Sequence, residues 1–333
     1  MGVKLLRIAG IALLIGCGSD KPAPPPADPN GIEIVYAGSE PRRPLRYQIT
    51  KGDKLEVELS IDVELDASGR GGPLPTVIVG TEIIATDLLP DASMRVRATI
   101  TSITARDVAN STLTADSMAD HMQLLKGTSL TGTLLPDGGI RELHAEAATK
   151  LPPALAEQLE TVSKSFQQIS LPLPHLPVGN GAAWRQKRTI EQNGMKLFTV
   201  TTIVVTAIDE RGFSFTSSTS LGGPDQKITL QGHTIEMTSI GGVGTGKGSI
   251  DLTKMVMSGE ATLSFHSDMT AENETDQMGM TMTTRVSPGK LPPPIAADAG
   301  SAVDLLEPPD DNAPVPDNTE FSGENAPVPE PAK

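Results

Sequence analysis

The chain has 333 residues, of which 3% are aromatic, one is cysteine, and 41 are acidic against 27 basic, for a formal net charge of −14. One thiol rules out a framework of internal disulfides, and an acidic balance with no basic patch excludes nucleic acid as a partner. The scarcity of aromatic rings argues against sugar binding, since glycoside-processing carboxylates work in clefts lined with such rings.

The opening MGVKLLRIAGIALLIGC puts Lys4 and Arg7 ahead of the apolar run Ile8 to Ile15. That run is too short to span about 30 Å of hydrocarbon, so residues 1–16 are predicted to be a signal peptide. The tetrapeptide Leu14-Ile15-Gly16-Cys17 resembles the lipobox of bacterial lipoproteins, which implies cleavage before Cys17 and acyl chains, such as palmitate, on its thiol. Gly18 stands where an aspartate commonly signals retention in the inner membrane, so the expected address is the outer membrane, facing the periplasm or the surface. Residues 17–31 are expected to be the lipidated cysteine and a proline-rich tether, extended at about 3.1 Å per residue.

Residues 32–289 are predicted to form a single β-rich domain. The stretch LEVELSIDVEL sets Leu55, Val57, Leu59, Ile61, Val63 and Leu65 on alternate positions, with Glu56, Glu58, Ser60, Asp62 and Glu64 between them. An extended chain sends these sets to opposite faces, giving one aliphatic face and one solvated acidic face. Turn signals at KGD (Lys51), PDGG (Pro136), NG (Asn193), DERG (Asp209) and GGPD (Gly222) separate alternating segments. They predict hairpins joining LRYQIT to LEVELSIDVEL, SLTGTLL to IRELH, and WRQKRTIEQ to MKLFTVTTIVVTAI, within about ten to thirteen mostly antiparallel strands. In the last strand Met278, Met280 and Met282 share a face.

Two segments follow a helical period instead. ADSMADHMQLLKG aligns Met118, Met122 and Leu125, with Asp116 near its start and Lys126 and Gly127 at its end. PPALAEQLETVSKSFQQIS aligns Leu155, Leu159, Val162, Phe166 and Ile169 behind a leading proline pair. From residue 290 to 333 the chain is acidic and rich in proline, with the near repeat NAPVPDN and NAPVPEP, and is expected to be a disordered tail.

Reactive constellations are missing. His121, His144, His175, His233 and His266 lie far apart, without metal-ligand spacing, and no G-x-S-x-G elbow occurs. IGGVGTGKGSI imitates the start of a phosphate-binding loop, but Gly248 occupies the place of the metal-binding Ser or Thr and SIDLTKM reads as strand, so a glycine-rich bend or bulge is expected. No enzyme activity, cofactor, metal or nucleotide is expected.

The order of these features resembles an uncharacterised family of bacterial lipoproteins over most of residues 40–287. The local signature is LPLPHLPVGNGAAW, with Val178-Gly179, a turn and Trp184, which reads as a packing anchor at the start of a strand. At fold level the chain looks like the periplasmic lipoprotein carriers of the LolA and LolB type. That resemblance implies a mainly β (α+β) fold: a strongly curved antiparallel sheet or half-barrel with two amphipathic helices over its concave side. Leu55, Val57, Leu59, Ile61, Val63, Met122, Leu159, Phe166 and Met280 would then line the concavity. Two functions follow from one composition: a non-catalytic structural or interaction role in the envelope, or the binding and carriage of a lipid or other hydrophobic ligand.

Overall fold

A computed structural model of the chain describes residues 31–147 and 172–290, except 69, 193–194, 231–232, 255 and 272–273. The expected signal peptide, the tether as far as residue 30, the second amphipathic segment with Leu159 and Phe166, and the tail from 291 lie outside these residues.

The described chain is dominated by strands: β1 (Ile32–Tyr36), β2 (Lys54–Ala67), β3 (Arg70–Pro73), β4 (Thr76–Leu88), β5 (Met94–Arg106), β6 (Ser129–Leu134), β7 (Ile140–Glu146), β8 (Ala183–Gln192), β9 (Met195–Ile208), β10 (Gly212–Gly222), β11 (Gln226–Leu230), β12 (His233–Asp251), β13 (Val256–Ala271) and β14 (Glu274–Pro288). They form one sheet in the order β1-β8-β9-β10-β12-β13-β14-β2-β4-β5-β6-β7, with β3 appended to β2 and β11 to β12. Every pairing is antiparallel, as expected for alternating segments joined by short turns. The sheet does not close into a barrel, since β1 and β7 stand at opposite ends of the order. The long-range pairing of β14 with β2, from Met278↔Ala67 to Pro288↔Val57, joins the two halves of the chain.

The hairpins around PDGG, NG and DERG form as read, and Gln192↔Met195 is the last pair before the Asn-Gly turn. The first predicted hairpin does not form. Pro41 and Pro44 interrupt the segment before β2, and proline cannot donate to a ladder. Residues 45–48 instead cross one end of the sheet. The Tyr47 N–H donates to the Pro136 carbonyl (2.9 Å) and the Gln48 N–H to the Leu252 carbonyl (2.8 Å).

That crossing shows how far the sheet bends. Leu252 follows β12 and Pro136 follows β6, so six strands separate the two turns. A flat sheet would hold them roughly 30 Å apart at about 4.8 Å per strand. Adjacent residues reach both, so the sheet curls round at this end. We call it the closed end.

The crease lies in the stretch that imitates a phosphate loop. In β12, Gly242, Gly244, Gly246 and Gly248 all face the side of the sheet that carries Ile250, opposite Phe265, Leu263, Ala261 and Gly259 of β13. A Cβ at Gly242 would stand 2.5 Å from the Ser264 carbonyl oxygen, and one at Gly248 2.6 Å from that of Ser258. Only a strand bare of side chains on this face lets the neighbouring backbone approach so closely.

Among the described residues there is one α-helix, α1 (Ala115–Met122), and not the expected pair over a concave side. Thr114 caps it, accepting from the Ser117 N–H, and Asp116 lies in its first turn. It ends four residues before the predicted Lys126 terminus, in a 3-10 turn (Gln123–Leu125). The early stop has a cause in β5, which runs past β6 and leaves its edge open. The Gly127 N–H and the Gln123 side-chain amide bond the carbonyls of Ile100 and Ile103 there (both 2.8 Å), so α1 covers an edge, with Met118, Met122 and Leu125 half-buried.

The inner face of the sheet as candidate functional site

Residues paired directly across antiparallel strands share a face. From Ile61 of β2 one row runs through Thr284, Ala261, Gly246, Ser217 and Ile203 to Trp184 of β8, and in the other direction to Val77 and Ala105. This inner face carries both core clusters. At the closed end Leu45, Leu173, Val178, Ala182, Trp184 and Ile203 are fully buried, together with Phe213, Phe215 and Ile250. The Trp184 ring meets Phe213 edge-on at 6.1 Å. Towards the opposite end Leu197, Ile228, Met237, Ile240 and Phe265 pack against Met278 and Met280.

Burial on β2 runs opposite to expectation. Leu55, Val57, Leu59, Ile61 and Val63 are only half-buried and Leu65 is 38% exposed, whereas Ser60, on the polar face, is 5% exposed. The polar face is also less solvated than its sequence suggests. Asp62 is half-buried and accepts from the Thr76 hydroxyl and from Arg285, which also reaches Glu260 at 3.3 Å. Hydroxyl pairs such as Thr262 and Thr283 (3.1 Å) extend that outer surface.

The expected lining residues of β2 therefore share one face with Met280 and Met282 on one side and Val79 and Ile83 on the other, all half-buried. Met122 is on α1 beside β5, and Leu159 and Phe166 lie outside the described residues.

The sequence reading passed over the opposite wall. In WRQKR the inner face of β8 receives Trp184, Gln186 and Arg188 at every second position, between Ala182 and Ile190. Trp184 is fully buried and its Nε1–H has no partner. Gln186 is 6% exposed. Arg188 is half-buried, and burial lowers its guanidinium below the usual arginine value. Thr199 and Thr201 of β9 and Thr219 of β10 complete this wall, with the last two hydroxyls 3.0 Å apart. The period-two signal was present, but charged residues in a strand read by default as a solvated face.

Among the described residues no group of three or more His, Cys, Asp or Glu side chains could hold a metal ion, and no helix is long and apolar enough to cross a membrane. No family model and no curated protein matches the chain.

Proposed function

We propose that this chain is a non-catalytic lipoprotein of the bacterial envelope, anchored through acyl chains on Cys17 to the outer membrane, whose body binds a lipid or similar apolar ligand on the inner face of its sheet. One observation carries the reading. The aliphatic face of β2 lies near the middle of the strand order, yet none of its six apolar side chains is buried, while the same face at the closed end is fully packed. A wall of Leu, Ile, Val and Met adapts to flexible acyl chains. The lipobox and the acidic charge that keeps the body off nucleic acid agree with this setting.

The test is native mass spectrometry of the full-length chain purified without added lipid, together with titration of the fluorescent fatty acid cis-parinarate. Co-purified lipid, or saturable binding at micromolar concentration, supports a binder. Absence of both leaves a structural or interaction role in the envelope.

A further inference from the structure

The rows that cross the inner face change character in a fixed order. The row of Gln186 runs through Thr201 and Thr219, then Gly244, then Leu263, Met282 and Val63. The row of Arg188 runs through Thr199 and Leu221, then Gly242, then Phe265, Met280 and Leu65. Each begins on a polar wall at β8–β9, crosses the glycine crease of β12, and ends on an aliphatic wall at β14–β2. Because the sheet curls about that crease, the two walls face a common interior.

The polar wall is built for an acceptor. An indole N–H and a guanidinium only donate, an amide and hydroxyls do either, and the inner-facing positions of β8, β9 and β10 hold no carboxylate. It is also unsatisfied. The Trp184 Nε1–H is buried without a partner, and the Gln186 amide, nearly as deep, makes no hydrogen bond to the protein. A buried polar group left unpaired costs about 1–3 kcal/mol, and replacing it with an apolar group of the same shape is close to neutral or stabilising. Two such groups on one strand face, two residues apart, mark a place where a ligand atom completes the bonding.

We infer that the ligand is a single-chain amphiphile with an anionic head, a carboxylate or a phosphate, which accepts hydrogen bonds from Trp184 and Gln186 near the Arg188 cation while its chain lies on the β14–β2 wall. This rests on the apolar-ligand reading above and adds the polarity and placement of the head. Along a strand the column from Trp184 to Arg188 spans about 13 Å, room for a head at one or two of its three positions.

The experiment compares heads on one chain. Full-length protein is titrated with cis-parinarate and with its uncharged methyl ester, and a monoacyl phosphatidate competes for the bound probe to separate phosphate from carboxylate. The parent protein should hold one of the anions at least about tenfold more tightly than the ester, as charge-assisted bonds in a dry site require. Gln186→Leu and Trp184→Phe should each erase most of that preference, leave ester affinity within about twofold, and melt no lower than the parent by more than a few degrees. Equal affinity for both anions and the ester would overturn the head assignment and leave the apolar site standing. Binding of none of the probes would overturn both. An anion preference that survives both substitutions would also refute the assignment to these side chains.

Discussion

Single atoms decide the crossing at the closed end. A Cβ on Gly179 would stand 1.7 Å from the Ser39 carbonyl oxygen, and one on Gly38 2.4 Å from the Gly179 oxygen. Backbone blocks backbone there, and no side-chain rotamer relieves it. Gly179→Ala is therefore expected to lower unfolding free energy by about 3 kcal/mol or more in urea titration, among the larger single-residue effects. Gly222→Ala, whose new Cβ would meet only the Ile240 oxygen at 3.8 Å, should be tolerated. Tyr47 belongs to the same crossing, and desolvation pushes its hydroxyl up to about 12 from 10.0. A group whose pKa is raised on folding supports stability below its unfolded pKa and loses that support as pH climbs to the folded value. Stability should thus fall between about pH 10 and pH 12, by about 2 kcal/mol from this residue. Tyr47→Phe should flatten that limb of a pH–stability curve.

At the scale of an element, β2 and β9 make a matched pair. Leu59 and Ile203 both point to the inner face, one half-buried and the other fully buried between Trp184 and Ser217. Ile203→Ala removes packed methyl groups from a closed core and should cost about 2–5 kcal/mol. Leu59→Ala removes atoms that already lack full contact, so about 1 kcal/mol is expected, half or less of a full burial. The same substitution should weaken cis-parinarate binding severalfold, measured beside the unfolding curve. If the two variants lose equal stability, the β2 wall is an ordinary core and the ligand reading fails. β12 works differently. Its glycines weaken an isolated strand, yet the curl at the closed end depends on their missing side chains.

For the whole molecule, the two ends of the sheet have different roles. The closed end is plugged by Leu45 and by the run from Leu173 to Trp184, all drawn into one core by residues far apart in sequence. The inner face beyond it is the surface offered to a ligand. Anchoring is a separate device at Cys17. Several acyl chains, at about 0.8 kcal/mol per buried methylene, hold far more firmly than one. Cys17→Ser should leave the protein soluble after export, or uncleaved, and a serine variant that still sediments with membranes after a high-salt wash would refute the lipid anchor.

Local chemistry made most of the fold legible. Period-two alternation marked LEVELSIDVEL and eleven other strands, and Asn-Gly or Asp-Gly-Gly turns set their hairpins, because side-chain direction and turn angles are properties of neighbouring residues. The short β1 and β3 escaped, with too few residues to show a period. Trp184 was legible as an anchor for the same local reason. The sequence alone could not say which face of β2 would be buried, since that depends on what the far strands bring opposite it. It was also silent on LRYQIT, which looks like a strand and became a plug because Leu45 found a better-packed partner set in Leu173, Val178 and Trp184. The column of Trp184, Gln186 and Arg188 acquires its meaning only when the curl turns a strand face inward, because burial, unlike alternation, is decided by residues more than a hundred positions away.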